Sequence, residues 1–454
     1  MFKFFQENIY YLIPLILLSI LIRIMYSFYA PEILATADSI GYYEIGQKMI
    51  QTGIPINESR PPTYPLFLNI AMLLQGKYHA PTLSPAFFQG MKTVVWLQTI
   101  LSLISLIILY RIFLYIDSHK LRAYLFSLFI GFNIMLIPGE RALLTESLAT
   151  TILLCTTFIL IKLIIKPKIW LFLILFLLYL VGLFLKPVFL AFPLFTLAFI
   201  TLYHRTSKKI LFSSFIIVAL LLSMLKFYSW ANSVYNNYPG FSRIGDINSL
   251  GQILYFDLPI DSAKGTNYFY NNVLDYRKIH GDPYPYNFLN HYDPSIYQKP
   301  QLLNQLNSFN FQVISHNLPL FIIKSVEQVP LALLSGNDIF KMSHKTTNPI
   351  LNGFFQILFR LYNLFQVPTL IILPSFPFFL IMLLKKPTLK LAIITLIGLV
   401  AILQIFLTVP FVFYEFGRLL SPIQPELYLL SYYSWGKLLH SINSHFRITK
   451  NWFK

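Results

Sequence analysis

Residues 11–28 read YLIPLILLSILIRIMYSF, and the chain leaves them through Pro31 into Thr36-Ala37-Asp38-Ser39-Ile40-Gly41-Tyr42-Tyr43. A largely apolar run of this length is close to the roughly 20 residues that a helix needs to cross a bilayer. A carboxylate just past its end, at the membrane–water boundary, is costly to hold there and marks a candidate site. Working outward, comparable runs recur at 94–113, 121–137, 148–165, 169–185, 188–203, 210–225, 364–384, 389–409 and 423–439. The expected fold is therefore an all-α polytopic membrane protein with about ten transmembrane helices. Juxtamembrane helices are expected as well, among them a partly embedded one over 65–75.

Composition agrees. The chain is 56% hydrophobic and 12% charged, with a mean hydropathy of +0.62, whereas a soluble domain carries about 25% charged residues. The net charge of +17 does not point to nucleic acid, because the basic residues sit in short loops between apolar runs. Lys120 and Arg122, Lys166 and Lys168, Arg205 with Lys208 and Lys209, and Lys385, Lys386 and Lys390 fall on alternate turns. Lys437, Arg447, Lys450 and Lys454 follow in the tail. By the positive-inside rule both termini are cytoplasmic. Lys3 alone precedes the first run and no small-residue cleavage site follows it, as in a retained signal anchor. Cys155 is the single cysteine, so neither a disulfide framework nor a cysteine metal site is expected.

Three regions follow: an N-terminal transmembrane module, 1–225, whose first outer loop is 30–93; an extracytoplasmic helical subdomain, 226–354; and C-terminal transmembrane helices with a basic cytoplasmic tail, 355–454. In the middle region Phe309, Val313, Phe321, Ile322 and Val326 recur at helical spacing. Helices lying on the membrane surface are the expected result.

The outer side holds the chemically varied residues. Asp38 and Tyr42 would share a helix face, and a carboxylate there can act as a general base toward a hydroxyl. The alternative is that Asp38 is only a helix N-cap. Arg60-Pro61-Pro62-Thr63-Tyr64-Pro65 presents a guanidinium on a rigid segment, suited to a phosphate or to anchoring in head groups. Glu140, Arg141 and Glu146 gather where two helices meet, and Glu146 could simply complement a helix dipole. Lys186-Pro187 breaks a long apolar stretch, and Arg418 follows Glu415 before Pro422. P-loop, dinucleotide-binding and HExxH motifs are absent. His79, His280, His291, His316 and His344 lack metal-ligand spacing, and Asp282 and Asp293 read as turn residues.

Taken together, these elements resemble the GT-C glycosyltransferases, the class of the protein mannosyltransferases and the lipid A aminoarabinose transferases. The shared pattern is Asp-x-x-x-Tyr (Asp38, Tyr42), then Arg-Pro-Pro-x-Tyr-Pro (Arg60 to Pro65), an acid opening the fourth helix (Glu146), Lys186-Pro187, and Arg418 with Pro422. The resemblance implies a GT-C-like fold with the active site facing the periplasm or exterior; the abundance of Ile, Lys, Asn, Tyr and Phe, as in AT-rich genomes, and the lack of an evident organelle signal favour a bacterial inner membrane. It implies a sugar donor carried on polyprenyl phosphate, an envelope glycan, lipid or protein acceptor, and inverting transfer. Catalytic roles fall to Asp38 and Glu146. Arg60, Lys186, Arg418 and Arg141 would bind the donor phosphate, while Tyr42, Tyr64 and Glu415 would line the pocket. Ser39 stands where many members carry a second acid and Lys186 where an Arg is common, leaving a divalent metal open; no metal ligand is assigned and no other cofactor is implied. A flippase or transporter of lipid-linked glycans, or a polymerase or ligase of them, are the alternatives.

Overall fold

The computed structural model describes residues 2–452 apart from 265–267, 280, 282, 293–298, 337, 344 and 413–415. Glu415, His280, Asp282, Asp293 and His344 lie outside the described residues. The described chain is 81% helix without a strand. An isolated bridge joins Leu34 to Ala142.

From the N-terminus, α1 (Phe2–Tyr29) leads to two short helices, α2 (Ala37–Thr52) and α3 (Thr63–Leu74). The chain returns through α4 (Pro85–Ile116), α5 (Lys120–Gly131), α6 (Ile137–Arg141) and α7 (Glu146–Ile165). Next come α8 (Ile169–Leu183), α9 (Phe192–Tyr203) and α10 (Lys208–Asn236). The long middle region carries α11 (Arg243–Tyr255), α12 (Tyr268–Ile279), α13 (Pro285–Tyr292), α14 (Pro300–His316), α15 (Leu318–Leu334) and α16 (Asp338–Met342). The last elements are α17 (Pro349–Ile372), α18 (Phe376–Lys385), α19 (Leu389–Thr408), α20 (Phe416–Leu420) and α21 (Gln424–Trp452).

Among the described residues, six helices are long and apolar enough to cross a membrane: Lys3–Tyr29, Pro85–Ile116, Glu146–Ile165, Lys208–Asn236, Pro349–Lys385 and Leu389–Thr408. The count is seven if Asn304–His316 and Leu318–Leu334, bent by 88° at their junction, form one span. The chain is thus an integral membrane protein. Several expected spans are shorter than the apolar runs suggested. α5 ends at Gly131 because the Asn133 side chain accepts the Met135 N–H, a local turn that competes with the helix. α8 stops ahead of Lys186-Pro187, where proline cannot donate to a continuing helix.

The most enclosed helices are α7 and α19, with 67% and 78% of their apolar windows buried against 28% for α10. Small residues allow that enclosure by bringing backbones close. At Gly398, a Cβ would come within 2.7 Å of the Phe376 ring. The peripheral helices expose Phe212, Phe215, Leu364 and Phe378, as a lipid-facing surface requires.

One buried ion pair ties α1 to the α6 turn. Arg23 reaches both Glu140 carboxylate oxygens, at 2.8 and 2.6 Å, and donates also to Ser102 Oγ and the Ser19 and Gly131 carbonyls. Both side chains are shielded, so the cation's donors are satisfied by protein rather than water. The middle region builds a separate hydrophobic cluster that includes Leu250, Phe269, Val273, Phe288, Phe309 and Val313. Phe309, Val313 and Phe321 turn into it, whereas Ile322 and Val326 face outward. The apolar residues at helical spacing thus lie on two helices, α14 and α15, and divide between a core and an exposed side.

Candidate active site

Asp38 stands in the first turn of α2, yet it does not cap the helix. Thr36 is the N-cap, and with Ser39 it forms a reciprocal capping box. The Asp38 carboxylate is left to act elsewhere. Gly46 lets α2 press against α3, since a Cβ there would overlap the Asn69 amide and the Pro65 carbonyl. Asn69 Nδ2 ties the two helices by donating to the Tyr43 and Pro65 carbonyls, each at 2.9 Å.

Arg60 is aimed by its own loop. The Asn57 side chain accepts the Ser59 and Arg60 N–H groups at 2.8 and 3.0 Å, forming a turn that Pro61 and Pro62 then stiffen. The guanidinium pairs with Asp38, approaches the Tyr42 hydroxyl at 3.4 Å and lies over the Tyr42 ring at 4.7 Å. Tyr42 meets Tyr64 edge-on at 5.0 Å. The Tyr64 hydroxyl donates to Gln98 Oε1 at 3.2 Å, and Gln98 Nε2 donates to the Glu140 and Ala142 carbonyls.

Arg418, on α20, closes the arrangement. Its Nη2 donates to Asp38 Oδ2 at 3.4 Å and its Nε lies 3.6 Å from Glu146 Oε1. That same Glu146 oxygen accepts from Lys186 Nζ at 3.0 Å. A continuous chain of opposite charges results: Arg60, Asp38, Arg418, Glu146, Lys186. Glu146 does open α7, so its charge also suits the helix N-terminus. A dipole alone would not need two cations on one oxygen. Its other oxygen, Oε2, is buried and has no hydrogen-bond partner among the described residues.

Access differs along the chain of charges. The Glu146 side chain is 3% exposed and that of Asp38 33%, so Asp38 is the carboxylate a substrate can reach. Burial pushes the Asp38 carboxyl upward, but Arg60 and then Arg418 outweigh it and hold the carboxyl below its ordinary range. For Lys186, burial lowers the ammonium's value and Arg418 adds to the effect, while Glu146 opposes both.

Arg141 is placed elsewhere. Its Nη2 donates to the Pro31 carbonyl at 2.7 Å, turning away from the carboxylates of the cluster. Tyr42 and Tyr64 lie beside the cluster, and Glu415 lies outside the described residues. The reasoning from sequence missed Gln98, Arg23 and Glu426. A lone polar residue inside an apolar run was the available signal for each. Glu426 is enclosed between helices, where Thr157 donates to its Oε1 at 3.2 Å. Among the described residues, no group of three His, Cys, Asp or Glu side chains is placed to hold a metal ion.

Fold and site together define a polytopic integral membrane protein with a mixed-charge cluster where the segment after α1 meets the bundle. No protein-family model matches the chain, and no curated protein matches it either.

Proposed function

We propose that this chain is a GT-C-type glycosyltransferase, with about ten membrane crossings once its shorter helices are counted, that uses a polyprenyl-phosphate sugar. It would work at the outer face of a bacterial inner membrane on an envelope glycan, lipid or protein acceptor. The supporting observation is the convergence of Asp38, Arg60, Glu146, Lys186 and Arg418, residues up to 380 positions apart, into one linked cluster. Each is conspicuous in the sequence by residue type and by its place beside an apolar run. Nucleotide sugars are not available outside the cytoplasm, so a lipid-carried donor fits the missing nucleotide motifs.

In the reaction, an acceptor hydroxyl oxygen attacks the anomeric carbon and its proton passes to the Asp38 carboxylate. The bond from that carbon to the phosphate oxygen breaks, and the electron pair leaves on the polyprenyl phosphate. Charge grows on the phosphate as the bond breaks, and fixed cations stabilise it most at that point. Arg60 and Arg418 are the cations in reach of Asp38. The arriving phosphate competes with Asp38 for both guanidinia, and as they turn to it the carboxylate regains basicity. Glu146 holds Arg418 and Lys186 in place through the cycle.

Asp38→Asn tests this reading. Asn keeps the shape and can still accept a hydrogen bond from Arg60, but it cannot take a proton at neutral pH. Envelope glycans of a deletion strain are profiled by mass spectrometry, with wild type or variant restored at equal protein level. The expected result is a modification lost on deletion, restored by wild type, and lowered roughly a hundredfold with the variant. Near-normal restoration by Asp38→Asn would overturn the catalytic assignment.

A further inference from the structure

The end of the bundle opposite the mixed-charge cluster carries two cations that the proposed reaction does not use. Lys162 lies on α7, about 24 Å along the helix axis from Glu146. Arg111 lies on α4, which packs along α7. Its guanidinium is held over two rings, 4.4 Å from the centroid of Phe4 on α1 and 4.9 Å from that of Phe158 on α7. The Lys162 ammonium lies 5.5 Å from the centroid of the same Phe158 ring and 5.1 Å from that of Tyr115 on α4. Three helices thus bring two like charges to one aromatic ring.

An acid between such charges would be the ordinary remedy for their repulsion. Among the described residues, neither side chain has an ion pair or a hydrogen bond. The acids of the adjoining segments are engaged elsewhere: Glu7 lies 3.9 Å from Lys3, and Asp117 pairs with Arg122 at 3.1 Å. The ring faces attract both cations, but they supply no oxygen acceptor for the guanidinium and ammonium N–H groups. Both side chains are half-buried, which limits how far water can stand in for that acceptor.

We propose that Arg111 and Lys162 form a binding site for the phosphate head group of an anionic phospholipid. The guanidinium offers a planar fork that matches phosphate oxygens, and the ammonium adds a second charge from the adjoining helix. One phosphate supplies the missing acceptors and relieves the repulsion at the same time. A lipid fits the surroundings better than free phosphate does. Phe5 and Ile9 on α1 and Ile165 on α7 are exposed apolar residues at this end, placed to meet acyl chains. Basic pockets between membrane helices hold lipid head groups in this way. The bound lipid ties α4 to α7, the helix that Glu146 opens.

The test uses the full chain in neutral detergent, mixed with equal amounts of phosphatidylglycerol and phosphatidylcholine, with bound lipid read by native mass spectrometry. Wild type is expected to retain one phosphatidylglycerol, preferred about thirtyfold over phosphatidylcholine. The double replacement Arg111→Met with Lys162→Met keeps apolar stems against the rings and should abolish the preference. Lys162→Met alone leaves Arg111 between Phe4 and Phe158 and should reduce the preference to about fivefold. Lys166→Ala with Lys168→Ala removes as much charge from exposed positions at the end of α7 and should leave the preference unchanged. A preference undiminished in Lys162→Met overturns the site, and so does a wild type that retains both lipids equally. A loss as large in the Lys166 and Lys168 variant as in the Arg111 and Lys162 variant would replace the site by diffuse surface attraction. Displacement of phosphatidylglycerol by inorganic phosphate at equal concentration would overturn the lipid as its ligand.

Discussion

Asp38 sits between two guanidinia, those of Arg60 and Arg418. The same pairing gives the outer loop an acid-sensitive tie. Because the folded carboxyl lies below its ordinary value of 3.8, the stability it contributes is complete above that value and is lost as pH falls through the folded one. In solubilised protein, cleavage of residues 53–60 by an acid-active protease should increase as pH drops below about 4. The Asp38→Asn variant should show cleavage that changes less with pH over the same range. Equal acid responses in the two proteins would remove Asp38 from the tie. Arg141 shows the limit of reasoning at this scale. A cation at a membrane boundary is conspicuous in sequence, but its direction depends on the α6 turn, which points it to Pro31.

At the scale of elements, the Arg23–Glu140 pair governs how α1 meets the turn before α7. Its donors and acceptors are met inside the protein, so removing one partner leaves a charge buried without compensation. Glu140→Ala is expected to cost about 3–5 kcal/mol. The double replacement Arg23→Met with Glu140→Leu removes both charges and should cost less. Unfolding of the single and double variants in the same lipid or detergent checks the order. A double variant less stable than Glu140→Ala would show that the pair is worth more than the burial of two charges. Helix lengths belong to this scale too. The apolar run at 121–137 was legible as membrane material, but the turn at Asn133 that shortens α5 is a side-chain contact, and hydropathy does not register it.

At the scale of the whole molecule, the cluster and the middle region lie together at one end of the bundle. Asp117, paired with Arg122 at 3.1 Å and bonded by the Tyr432 hydroxyl at 2.7 Å, lies on an inter-helix turn at the other. The proposed function requires the first end to lie outside, the side that the positive-inside pattern also leads one to expect. In a Cys155→Ser background, Ser262→Cys in the exposed middle region should react with an impermeant thiol reagent in intact spheroplasts, and Ser118→Cys only after lysis. Both positions are exposed. The reverse pattern would invert the topology and remove the extracytoplasmic chemistry with it.

Membrane character and helix content are written locally, because an apolar run must satisfy its backbone within itself and so becomes a helix wherever it is placed. The candidate charges were legible for a related reason: beside a bilayer each is costly, and so conspicuous. Their pairing was not legible. Asp38 and Arg418 are 380 positions apart, and only the packing of α2, α7 and α20 decides that Arg418 touches both Asp38 and Glu146. Sequence alone determined which groups could do chemistry at the membrane edge; close packing of distant helices decided which of them meet, because contacts between remote segments leave no periodicity to read.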